Sequence, residues 1–135
     1  MWGMVVSSTV VGIDLVRVSR IAESVAEFGS RFLERIFTEG ELAYCLANEH
    51  TRDERLAARF AAKEAARKVL RIGDDAVPWR SIEVERTPGG WCELALHGDA
   101  RALADRAGLV AFSVSLTHEA DHASAVVLGQ RRGNE

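Results

Sequence analysis

Proline, lysine, cysteine and long apolar runs are all scarce in this 135-residue chain, and each scarcity closes off a class of protein. With two prolines and no repeating tract, collagen-like and low-complexity architectures are excluded. The two cysteines, Cys45 and Cys92, are far apart and form no C-x-x-C pair, so they read as reduced thiols of a cytoplasmic protein, not a disulfide framework. No apolar run approaches the roughly 18 residues a membrane span needs. The opening Met1-Trp2-Gly3-Met4-Val5-Val6 has no basic flank and no sustained apolar core, so no secretory leader is expected. Neither charge sign dominates: seventeen basic and twenty acidic side chains leave a formal charge of −3. That excludes a general nucleic-acid or membrane-surface binder while permitting a local basic stripe. What remains is ordinary globular composition, 47% apolar and 27% charged, in a length suited to one domain over residues 1–135.

The pattern along the chain predicts an α+β fold. Thr9 to Val16 is β-branched and apolar, which predicts a buried strand ending at Asp14, with residues 1–9 partly a loose extension. Val18, Ile21, Val25 and Phe28 recur at helical spacing before a glycine stop at Gly29. Thr38-Glu39-Gly40-Glu41 has the form of a capping box, with Leu42, Cys45 and Leu46 following as one apolar edge. After a polar connection from Glu49 to Glu54, Arg55 to Arg71 is the strongest helix, alanine-rich and free of Gly and Pro. Ser81–Glu85 and Trp91–Leu96 flank Thr87-Pro88-Gly89-Gly90 and predict a hairpin. Asp99 is placed as the cap of a short helix ending near Gly108. Val110, Phe112, Val114 and Leu116 alternate with polar or small residues as a half-buried strand, followed by a polar corner and a strand over Ala123 to Leu128. Residues 130–135 are expected to be loose.

Four constellations could carry chemistry. Asp14 and Glu64, on separate elements, could share one hard cation, and Mg²⁺ accepts such a pair with water and phosphate completing its shell. The plainer alternatives are a turn or cap role for Asp14 and an i,i+4 pair of Glu64 with Lys68. The chain has fifteen arginines but only two lysines, Lys63 and Lys68, and both lie beside Glu64. That coincidence suggests phosphate neutralisation, against chance placement on a charged helix. His118-Glu119-Ala120-Asp121-His122 matches the H-E-x-x-H zinc hydrolase pattern, which works only on a helix. Here it falls between two strand-like runs, which predicts a corner. Arg17, Arg20, Arg31 and Arg35, interleaved with Glu23, Glu27 and Glu34, read either as a solvated mixed surface or as an arginine edge for an acidic partner.

Together these residues resemble the holo-acyl-carrier-protein synthase family, the small phosphopantetheinyl transferases. The resemblance runs from about Val10 to Leu128. Its anchors are Gly12-Ile13-Asp14-Leu15-Val16 with Ser19-Arg20-Ile21, Arg31-Phe32 through Phe37-Thr38 and Glu41, and Val114-Ser115-Leu116-Thr117-His118 with the run from Ala123. The most specific is Arg59-Phe60-Ala61-Ala62-Lys63-Glu64-Ala65 followed by Lys68.

The resemblance implies an antiparallel sheet packed on helices, and transfer of 4'-phosphopantetheine from coenzyme A to a serine of an apo acyl carrier protein with release of 3',5'-ADP. It implies that Asp14 and Glu64 ligate Mg²⁺ and that Glu64, or a water on the metal, helps remove the serine proton. Lys68, and with it Lys63, would meet coenzyme A phosphate, as would Ser115, Thr117 and His118 from a neighbouring subunit of a homotrimer. Arg20 and Arg31 would meet the acidic helix of the carrier. Val10 in place of a first glycine, and Arg71-Ile72-Gly73-Asp74-Asp75 in place of a glycine-rich turn, depart from the family pattern. The competing functions are a zinc hydrolase built on His118, Glu119 and His122, and a carrier-binding module without catalysis.

Overall fold

The opening β-branched run forms strand β1 (Thr9–Arg17) in the computed structural model, which describes residues 8–73 and 76–133. It is an edge strand with one face exposed, not the buried strand predicted. Gly12 and Val16 point inward, while Val11, Ile13 and Leu15 are 61, 63 and 67% exposed on the outer face. Asp14 lies within the strand on its inner face, not at its end. Most of the predicted extension, residues 1–7, lies outside the described residues, as do Asp74, Asp75 and residues 134–135.

Helix α1 (Val18–Phe28) buries Val18 and Ile21 and ends at Gly29, whose φ of 56° is a left-handed conformation that favours glycine. α2 (Ser30–Ile36) follows at once. α3 (Glu39–Cys45) begins with the predicted capping box: Thr38 Oγ1 accepts from the Glu41 N–H at 3.2 Å, and the Thr38 N–H donates to Glu41 Oε1 at 2.8 Å. α4 (Arg52–Val69) starts three residues earlier than expected, so half of the polar connection is its first turn. After a 3-10 turn at Trp79–Ser81 come β2 (Ile82–Arg86) and β3 (Cys92–Leu96), the predicted hairpin. α5 (Gly98–Arg106) has Asp99 in its first turn, but the cap position is His97 and Asp99 caps nothing.

β4 (Leu109–His118) and β5 (His122–Arg131) complete a three-stranded antiparallel sheet in the order β1-β5-β4. β5 is longer than predicted. Gln130 pairs with Thr9, and the Arg131 N–H donates to the Ser8 carbonyl at 3.0 Å, so this part of the tail is ordered.

α4 lies on the inner face of this sheet, with α1, α3 and the hairpin around it. Its buried face is built of Ala57, Ala58, Ala61, Ala62, Ala65 and Ala66, all essentially without exposure. Small side chains let backbones approach. A Cβ on Gly12 would sit 2.1 Å from the Ala65 carbonyl oxygen, so strand and helix are in near backbone contact there. The core flanks that contact on both sides. Val16 packs with Leu56, Ala57, Ala58, Ala61 and Ala62, whereas Val10 packs with Ala65, Ala66 and Val69. β1 therefore runs antiparallel to α4.

Candidate active site

That antiparallel register lays the two acid-bearing elements against each other. With Gly12 opposite Ala65 and Val16 opposite the Ala57–Ala62 stretch, Asp14 falls level with the turn of α4 that carries Glu64. Lys68, one turn further on, reaches back across the seam. Its ammonium donates to the Ile13 carbonyl at 2.7 Å and meets Asp14 Oδ1 at 3.4 Å. The Ser124 hydroxyl donates to the Asp14 carbonyl at 3.0 Å, which ties this point of the edge strand to β5.

The intrahelical Glu64–Lys68 pair does not form. Glu64 is half-buried and has Arg67 as its basic neighbour, at 3.9 Å. Asp14 thus faces a cation supplied by the protein itself, and Glu64 is not engaged by Lys68. Among the described residues no three His, Cys, Asp or Glu side chains converge on one point. The protein would contribute a carboxylate pair and leave most of a coordination shell to water and ligand oxygens. That donor set suits Mg²⁺ and does not suit a structural zinc.

A second concentration of charge lies between α3, α4 and the hairpin. Three guanidinium groups surround the ring of Tyr44: Arg55 at 4.1 Å, Arg59 at 4.4 Å and Arg86 at 5.2 Å from its centroid. Arg59 is only 4% exposed, and its polar neighbours include the Cys92 thiol at 3.8 Å but no carboxylate within ion-pair distance among the described residues. A buried guanidinium without a counter-ion is a standing attraction for an anion. Arg59 and Arg86 line a cavity of about 310 Å³ whose other walls include Trp91, Ser115 and His118. The His118 Nδ1 lies 3.1 Å from Glu54 Oε2. Sequence reasoning missed Arg59 as a charge donor, and Arg86 and Tyr44 altogether. They come from three elements, and only the buried charge within the Arg-Phe-x-Ala-Lys-Glu-Ala segment could have hinted at the first. Thr117 is exposed on the outer sheet face and does not line this cavity.

Lys63 does not belong with the phosphate candidates. It is 0% exposed, pairs with Glu41 at 2.8 Å, and donates to the carbonyls of Trp79, at 3.3 Å, and Ile82. Burial pulls its ammonium below the ordinary lysine value, and the Glu41 carboxylate opposes that pull. Arg20 and Arg31 are both exposed, on α1 and α2. Arg31 and Arg35 rim an apolar hollow of about 380 Å³ formed by Phe28, Phe32, Ile36 and Trp79. The H-E-x-x-H segment is the β4–β5 corner: the Glu119 N–H donates to the His122 carbonyl at 2.8 Å. His118 turns to Glu54 while His122 Nδ1 lies 3.9 Å from Glu119, so the helical zinc geometry is not formed.

The chain as a whole has recognised relatives. A model of the 4'-phosphopantetheinyl transferase superfamily matches residues 10–127, and the chain belongs to that family. Among curated relatives it is 43% identical over 117 residues to the holo-[acyl-carrier-protein] synthase of Gloeobacter violaceus, covering 87% of this chain and 89% of that one. It is 45% identical over 117 residues to the holo-[acyl-carrier-protein] synthase of Moorella thermoacetica, covering 87% and 90%. Among solved structures it superposes on an ACPS–CoA complex from Chronobacterium ammoniagenes with a TM-score of 0.82 and 33% identity, over 94% of this chain and 99% of the other.

Proposed function

We propose that this chain is an Mg²⁺-dependent holo-[acyl-carrier-protein] synthase, moving 4'-phosphopantetheine from coenzyme A to a serine of an apo acyl carrier protein. The observation that carries the reading is the β1–α4 seam, where Lys68 of the helix meets Asp14 of the strand and the helix carries Glu64 one turn before Lys68. Asp14 and Glu64 would hold the metal. When bound, Mg²⁺ supplies charge stabilisation for the pyrophosphate oxygen that leaves.

The chain's own groups account for the rest. Glu64, half-exposed, accepts the proton of the carrier serine as its oxygen attacks the phosphorus bearing the pantetheine. The bond from that phosphorus to the bridging oxygen breaks, and 3',5'-ADP departs with the electron pair. Lys68 offsets phosphate charge at the seam. Arg59, Arg86, Ser115 and His118 form the anion cavity, which suits a phosphate monoester of the coenzyme. Thr117, on the outer face, would serve a neighbouring subunit.

The exposed Val11, Ile13 and Leu15, continuous with Leu128 across the sheet, form an apolar face of the kind that marks an interface. We assign it to a homotrimer with sites between subunits; light scattering that returned a monomer mass would overturn this. Arg20 and Arg31 form the edge for an acidic carrier helix. Two free cysteines, one of them buried, suit the cytoplasm.

The test is to incubate the protein with coenzyme A, Mg²⁺ and a panel of apo carriers and to weigh each carrier. Gain of one phosphopantetheine on a serine is expected. No gain on any carrier would reject the reading, and binding without gain would favour a non-catalytic carrier-binding module.

A further inference from the structure

The rotation of α4 decides which side chains reach the seam. Between Leu56, one turn in, and Val69, at its last residue, its buried apolar side chains are all alanines, which fill space but key weakly into a neighbour at the level of Glu64. Yet Glu64 and Lys68 serve the seam only if the helix presents them at one azimuth, since consecutive residues on a helix differ by about 100°.

Two contacts restrain it on either side of Glu64. On the β1 side the Gly12 backbone rests on Ala65. On the opposite side, at the level of Glu64, the Lys63 ammonium is held by Glu41, the Trp79 carbonyl and the Ile82 carbonyl. Glu41 is itself fastened, by the Thr38 N–H and the Val84 N–H, each at 2.8 Å. Every one of these bonds is directional, and together they join α4 to the start of α3, to the 3-10 turn and to β2. Burying an ion pair gives little net stability compared with an apolar pair, so its presence calls for another return.

We propose that the buried Lys63–Glu41 pair is a positioning device that sets the rotation of α4 and thereby holds Glu64 and Lys68 against Asp14. The proposal rests on the reading of the seam given above. It removes Lys63 from substrate contact and assigns it, with Glu41, an action through the neighbouring residue.

The test compares the wild type with two variants. The double variant Lys63→Met/Glu41→Gln removes both charges, and the new amide oxygen on α3 still accepts from one of the Thr38 and Val84 N–H groups, which the carboxylate meets with separate oxygens. The single variant Lys63→Gln keeps a donor. Circular dichroism establishes folding. In folded variants kcat should fall about 10- to 100-fold with KM for coenzyme A within about twofold. Binding of Mn²⁺ alone, read by electron paramagnetic resonance, should weaken about tenfold. The backbone amide resonance of Asp14, which touches neither replaced side chain, should shift. Lys63→Gln should be the milder of the two. Wild-type kcat, Mn²⁺ affinity and Asp14 resonance in a folded double variant would overturn the proposal. So would loss of folding in both variants, which would make the pair purely structural. If the wild type itself transferred nothing, the functional reading would fail, while the Mn²⁺ and resonance comparisons would still decide the role of the pair.

Discussion

Adding one methyl group at Gly12 should damage the site from a position that touches no substrate. A Cβ there would lie 2.1 Å from the Ala65 carbonyl oxygen and 3.2 Å from Lys68 Cβ. Carbon and oxygen settle at about 3.3 Å, so strand and helix must part by roughly 1 Å. Both are backbone in a packed core, and overpacking of this kind costs about 1–3 kcal/mol. For a chain of this length that is a melting temperature lower by about 5–10 °C. The separation opens the seam that holds Asp14 beside Lys68 and Glu64, and displacements near 1 Å can cost about 10²-fold in turnover. Gly12→Ala should therefore lower both the melting temperature, by differential scanning fluorimetry, and kcat/KM for carrier modification. Gly73→Ala is the control, since a Cβ there meets nothing within 4 Å. A Gly12→Ala protein with wild-type melting and wild-type kcat/KM would refute the argument that backbone contact places the site.

Three further outcomes follow from the same geometry. Arg20→Ala and Arg31→Ala should raise KM for the carrier with little change in kcat, and the penalty should shrink as salt rises; a salt-independent effect would count against electrostatic docking. Burial pushes the Cys45 thiol up to about 12, whereas Cys92 lines the guanidinium cavity, so a thiol reagent on native protein should modify Cys92 alone, more slowly with coenzyme A present. Modification of Cys45 at the same rate would contradict that assignment. Burial raises the Glu83 carboxyl, but hydrogen bonds from Thr38, at 2.6 Å, and from His97 outweigh it and hold the group below its ordinary 4.5. A depressed carboxyl adds stability above that value and loses it as pH falls through the folded one. Glu83→Gln should therefore show a shallower acid loss of melting temperature below about pH 4.5; an unchanged slope would contradict this.

How far the sequence could be read depended on whether the deciding contact was local. The capping box at Thr38, the glycine stop at Gly29, the hairpin and the alternation of β4 are all settled within a few residues, and each formed where its pattern lay. β1 was misjudged because apolar residues on both faces imitate burial, whereas its outer face is bare within one chain. Lys63 and Glu64 are adjacent, and nothing local says which points inward; that is decided by Glu41, 22 residues earlier. The cage of Arg55, Arg59 and Arg86 around Tyr44 joins three elements and left no periodic trace. Asp14 and Glu64, by contrast, could be paired beforehand through family resemblance, and the register of β1 on α4 is consistent with that pairing.

The measurement closest to the centre of this account is a divalent-metal titration of carrier modification by the wild type, Asp14→Ala and Glu64→Ala. The wild type should saturate with Mg²⁺ and stop when the metal is chelated. Each variant should stay folded and transfer nothing at any Mg²⁺ concentration. Wild-type turnover in either variant, or undiminished turnover of the wild type under chelation, would contradict it.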